Sequence, residues 1–126
     1  MSKIGERLIA IQQSKEKSSF SVEGLGENGQ PLKVYYSKLK VREDEKLRRL
    51  HPKFYDDVLS GSIPSMNALV DLICMKAENE DGTKIFDDTD KLELRGMDVA
   101  FIMNIATQML NDLFDEPTLE QAEKNL

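Results

Sequence analysis

Residues 20–36 read FSVEGLGENGQPLKVYY, and this stretch decides the fold class. Phe20 and Val22 before the turn, and Leu32, Val34 and Tyr36 after it, alternate with polar residues as half-buried strands do. Between them, Gly24 to Pro31 contains the Asn28-Gly29 pair, which tolerates positive φ. A β-hairpin over about residues 19–37 is therefore predicted. Several other segments follow helical spacing, so the expected class is α+β, a helix-rich single domain with a small β-hairpin.

Upstream, Ile4, Leu8 and Ile11 recur at helical spacing and predict a short amphipathic helix over roughly residues 3–14. Downstream, Arg42 to Leu50 is rich in helix formers until Pro52 disfavours the α conformation at His51. Residues 53–65 hold Gly61, Pro64 and several serines, and read as an irregular connection. Ser65 can cap a helix over 66–77, where Met66, Leu69, Val70, Ile73, Cys74 and Ala77 follow the i, i+3, i+4 pattern. Asp81-Gly82 favours a turn before Ile85-Phe86, and Asp87 or Asp88 can cap a helical turn ending near Arg95.

The last helix is expected over about 97–114, stopped by Pro117. Val99, Ile102, Met103, Ala106, Met109, Leu110 and Leu113 form one stripe, and Phe101 and Ile105 widen it beyond one face. Such a helix is either central to the core or keeps a second apolar strip for a partner, made of Phe101, Ile105 and Phe114. The globular part is expected to span 1–116, with 117–126 a polar tail.

With 126 residues, 40% apolar and 32% charged, the chain has the size and composition of one folded domain. The opening residues MSKIGERLIAIQQSKEK contain no signal-peptide core, and the most apolar stretch, Met97 to Phe114, is broken by Asp98, Asn104, Gln108, Asn111 and Asp112. Neither export nor a membrane span is expected. One cysteine, Cys74, excludes an internal disulfide and fits a reducing, cytosolic compartment. The net charge of −6 is unevenly spread, with residues 1–53 at +5 and residues 54–126 at −11. That polarity can steer a charged partner or favour head-to-tail self-association.

Three chemistries fail on spacing. Gly24-x-Gly26-x-x-Gly29 has the letters of a dinucleotide loop, but Pro31 and a β-like run follow where a helix is required, and Glu27 sits where phosphates would lie. Aligning Gly82 with the glycine of a calcium loop puts Ala77 at the first ligand position and Asp88 at the last, so the acidic run 78–82 lacks the pattern. His51 precedes a proline, Cys74 lies on an apolar stripe, and no dyad or triad is evident. No catalytic residue, cofactor or metal site is therefore assigned. The basic segment 38–53, with Lys38, Lys40, Arg42, Lys46, Arg48, Arg49 and Lys53, is the one feature that fits a nucleic acid.

The order of pieces goes further. Phe20-Ser21-Val22 leads through the Gly-rich turn into Pro31-Leu32-Lys33-Val34-Tyr35-Tyr36. Then come the charged helix from Val41 to Leu47, the segment from Leu69 to Gly82, Ile85-Phe86-Asp87-Asp88 and a long apolar helix. Over about residues 18–115 this resembles the tail assembly chaperones of lambda-like long-tailed bacteriophages. The resemblance implies a helix-rich α+β fold and a non-enzymatic role in viral tail morphogenesis in the host cell cytoplasm, with the protein absent from the mature virion. It implies the tape measure protein as partner, with the tail tube protein a second candidate and no membrane involvement. It also implies a longer product made by ribosomal frameshifting. Glu123-Lys124-Asn125 can be encoded GAA-AAA-AAC, which contains a slippery A-run at the expected place. The alternative is a small nucleic-acid-binding or other phage regulatory or adaptor protein using residues 38–53.

Overall fold

The computed structural model describes residues 2–113. The architecture is α+β: an N-terminal helix α1 (Lys3–Ser14), a hairpin of β1 (Ser18–Val22) and β2 (Leu32–Tyr36), then α2 (Val41–Leu50), α3 (Phe54–Ser60), α4 (Met66–Lys76), α5 (Asp90–Arg95) and α6 (Val99–Leu110).

The two strands are antiparallel, with Ser18 opposite Tyr36, Phe20 opposite Val34 and Val22 opposite Leu32. Val22, Val34 and Tyr36 are buried, while Ser19, Ser21 and Lys33 on the other face are exposed, as the period-two pattern requires. The turn uses a short 3-10 segment, Glu27–Gly29, in which Asn28 (φ 56°) and Gly29 (φ 78°) take left-handed conformations. Gly26 is needed for a different reason. A Cβ there would lie 2.1 Å from the Gln30 carbonyl oxygen, so Gly26 and Gly29 together shape a tight turn.

Helix α4 is the hub. Ser65 Oγ accepts the Ala68 amide at 3.2 Å and caps its start. Ala68, Leu69, Val70, Leu72, Ile73 and Cys74 are all buried, so the helix is enclosed on nearly every side and packs against α2, α5 and α6. It ends one residue earlier than its apolar stripe, because Ala77 turns into an extended conformation. Glu78 then exchanges both backbone hydrogen bonds with Tyr35, each 2.9 Å, and attaches the acidic segment to the hairpin edge. The run from Asn79 to Thr83 closes a turn in which Gly82 has φ 90° and Asp81 accepts the Thr83 amide at 3.0 Å.

Two expectations need correction. The segment read as irregular contains α3, which buries Phe54 and Tyr55 as an edge-to-face pair with ring centroids 5.2 Å apart. Its end is set by Gly61 at φ 78°, in the position that favours glycine after a helix. The last helix is shorter than 97–114, running from Val99 to Leu110. Its buried stripe is Ile102, Ile105, Ala106 and Met109, continued by Leu113, while Val99 is 60% exposed and lies outside the stripe. The end of α6 is fastened to the hairpin base. Asp112 accepts from Lys38 Nζ at 2.5 Å and from the Ser18 hydroxyl, and the Tyr36 hydroxyl donates to the Gln108 carbonyl at 3.2 Å.

Candidate functional site

The hairpin, the segment after α4, α5 and α6 converge on one open apolar groove. Leu25 comes from the turn, Leu32 from β2, Ile85 and Phe86 from the segment after α4, Leu94 and Met97 from α5 and the turn following it, and Phe101 from α6. The hollow has a volume of about 310 Å³, and Asp90 and Glu93 are the charged groups on its rim. Leu94 is buried and forms part of the floor, whereas Leu25 and Met97 are exposed.

Each wall follows from local sequence. Asp87 accepts the amides of Thr89 (2.9 Å) and Asp90 (3.1 Å), which starts α5 and turns Leu94 inward. Phe101 lies one position before the buried Ile102, a rotation of about 100° around the helix, so it is half-buried at the groove edge. Ile105, one turn further on, is 1% exposed. It is a core residue at the α6 face, and the second apolar strip does not include it. The physical reason is the enclosure of α4, which leaves α6 to cover a face wide enough to bury both Ile102 and Ile105. Phe114 lies outside the described residues. Of the two proposed contact residues among the described ones, Phe101 is the one that the fold places on an open apolar surface. The groove's other walls come from distant segments, and no single periodicity could have shown them together.

The basic segment 38–53 does not form a continuous positive face. Lys38 is paired with Asp112, Arg48 bonds Asp44 at 3.0 Å, and the Arg48 guanidinium lies 3.9 Å from the centre of the Tyr55 ring. Arg42 and Lys46 border a second hollow of about 480 Å³, which Glu43, Asp71, Asp87 and Asp88 also line. The carboxylates counter the cations there.

His51 and Cys74 belong to the same region. His51 Nε2 meets the Asp71 carboxylate at 2.7 Å, and Lys91 reaches its other oxygen at 3.3 Å. Burial pushes the Asp71 pKa upward, but the bonds from His51 and Lys91 outweigh it and hold the carboxyl below its ordinary value. Burial pushes the Cys74 thiol up, so it is a protonated, weakly reactive group at neutral pH. The arrangement ties the ends of α2 and α5 to α4. Among the described residues, no group of three or more His, Cys, Asp or Glu side chains is placed to hold a metal ion. No described helix is long and apolar enough to cross a membrane.

No protein-family model, no curated protein and no solved structure matches this chain.

Proposed function

We propose that the chain is a non-enzymatic tail assembly chaperone of a lambda-like long-tailed phage, acting in the host cytoplasm on the tape measure protein and leaving before the virion is complete. The order of hairpin, charged helix, central helix and long apolar helix motivates the reading. The observation that carries it is the open groove beside Phe101, apolar in its walls and acidic at its rim. A tape measure protein is long and helix-prone, and exposes apolar stripes until the tail tube covers them. A groove of this kind takes the apolar face of an amphipathic helix, with cationic flanks favoured by Asp90 and Glu93.

The test is co-expression with a tape measure protein of a lambda-like long-tailed phage, taken from the genome that encodes this chain. The native chain should co-purify with it in stoichiometric amount, and Met97→Glu, which places a charge on an exposed groove wall, should abolish capture while the far-ultraviolet spectrum stays unchanged. Capture that survives Met97→Glu removes the groove from the reading. A salt-dependent gel shift of DNA by the native chain, with no capture, favours the regulator instead.

A further inference from the structure

The chain is fastened where α6 ends. Leu113 is buried and its carbonyl accepts the Leu39 amide at 3.2 Å, while Lys38 Nζ donates to the Asp112 carbonyl at 2.6 Å and to the Asp112 carboxylate at 2.5 Å. The chain therefore leaves Leu113 beside Lys38 and Leu39. Lys38 is on the rim of a hollow of about 370 Å³, bounded by the end of α1, the exit from β2 and the segment after α4. Lys15, Lys17, Lys38 and Lys40 line it, with Ser37 as a neutral donor and Glu16 and Glu78 as the carboxylates. Lys17 is paired with Glu78 and Lys38 with Asp112, whereas Lys15 and Lys40 have no ion-pair partner among the described residues. After those pairs, two cations remain against Glu16 alone. A concave site with such a surplus concentrates an anion near it.

We infer that the acidic segment 115–123 of the same chain occupies this hollow, with its carboxylates on Lys15 and Lys40. Residues 115–126 read DEPTLEQAEKNL, in which Asp115, Glu116, Glu120 and Glu123 outnumber the single cation Lys124. The two sides match in sign. Reach is not limiting, because an extended chain covers about 3.3 Å per residue, so Glu116 comes within about 10 Å of the point at which Leu113 is fastened. Exposed ion pairs hold a free peptide weakly, but a segment tethered at the mouth of its site meets it at an effective concentration on the order of millimolar. The tether makes weak pairs count. The occupied hollow takes Lys15, Lys38 and Lys40 out of reach, so an outside polyanion drawn to the basic segment must first displace the chain's own carboxylates. The acidic segment thus acts as a built-in competitor. It shares no lining residue with the groove beside Phe101, so the inference stands apart from the tape measure reading.

Paramagnetic broadening of amide signals in the full chain tests this. In a Cys74→Ser background, Gln121→Cys carries a nitroxide spin label, and the isotope-labelled chain is diluted into excess unlabelled native chain, so each label reports on its own copy. The amides of Lys15, Lys17, Ser37 and Lys40 should broaden, and more than those of Leu25 and Met97 at the groove. The effect should fade at about 1 M salt, where charges are screened beyond about 3 Å. It should also be lost when Asp115→Asn, Glu116→Gln, Glu120→Gln and Glu123→Gln are combined, and reduced by Lys15→Glu with Lys40→Gln. None of these positions is among the buried core residues. Absence of broadening at the hollow in the diluted sample overturns the inference. Broadening found only when spin label and isotope label are on different copies overturns it too, because the segment then reaches a neighbour. Broadening that survives both salt and removal of the four carboxylates overturns the ionic account.

Discussion

The Lys76 ammonium, 3% exposed at the last turn of α4, donates to the Glu43 carboxylate of α2 at 2.7 Å. It also donates to Ser37 Oγ at 3.1 Å and to the Lys38 carbonyl at 3.2 Å, which uses all three of its N–H groups. Glu43 in turn accepts the Lys40 amide at 2.9 Å and so starts α2. Burial lowers the Lys76 pKa, and Glu43 acts against that shift. A charge inside the core thus fixes how the exit from β2, the start of α2 and the end of α4 meet.

The two partners of this bond should respond unequally to removal. Glu43→Ala leaves a buried ammonium without its counter-charge and frees the Lys40 amide, which should cost about 3–5 kcal/mol. Lys76→Met keeps the volume and removes the charge, leaving Glu43 with its Lys40 bond, so its stability should lie within about 1–2 kcal/mol of the native chain. Urea unfolding of both variants at neutral pH measures the difference. The account is wrong if Lys76→Met is the more damaging change.

Acid should loosen the hairpin from α6. Hydrogen bonds from Lys38 and then from Ser18 lower the Asp112 pKa, and the His51 and Lys91 bonds lower that of Asp71 against the effect of burial. A carboxyl with a folded pKa below its unfolded value, about 3.9, contributes stability that is present above that value and lost as pH falls through the folded pKa. The urea midpoint should therefore be flat near neutrality and drop below about pH 4. Asp112→Asn should be weaker at pH 6 and lose less than the native chain between pH 6 and pH 3. An unchanged pH dependence in that variant would show that the ionic bonds of Asp112 contribute nothing.

The glycines of residues 24–29 make a turn, and this has a thermal signature. Gly26→Ala puts a methyl group against the Gln30 carbonyl, a backbone atom that cannot swing aside, and should lower the melting temperature by several degrees. Millimolar nucleotide or calcium should leave the native melting temperature where it is, since a ligand that binds the folded state must raise it. A clear rise with either would reopen the dinucleotide-loop or calcium-loop reading.

The sequence was most legible where one element's own period carries the information. The hairpin follows from Phe20, Val22, Leu32, Val34 and Tyr36, and its turn from Asn28-Gly29; α1 follows from Ile4, Leu8 and Ile11. Period says that a helix has an apolar face, but not what meets it. Hence α1 was legible as a helix, but not as a helix with no buried residue. The reverse held at α3, where Phe54, Tyr55 and Val58 are spaced for a helix but Gly61, Pro64 and the serines mark its end and obscure the seven residues before it. The groove could not be read at all beyond Phe101, because its walls are brought together only by the turn at Asp81-Gly82 and the cap at Asp87.

Ile105 and Phe101 make the sharpest contrast between core and surface on one helix. Ile105 is 1% exposed where α6 packs on α4, and truncation there leaves a cavity walled by helices that cannot collapse into it. Ile105→Ala should cost about 2–5 kcal/mol, and Ile105→Glu, which adds an unpaired buried carboxylate, should leave no folded protein to assay. Phe101 is half-buried at the open edge of the groove, so Phe101→Ala loses contacts without enclosing a void and should cost less than Ile105→Ala. Urea unfolding of the two alanine variants orders them. The order decides which residue is available to a partner, since a side chain that holds α6 to α4 cannot also be offered outward. If Ile105→Ala proves the milder of the two, Ile105 returns to the contact strip and Phe101 becomes the core residue.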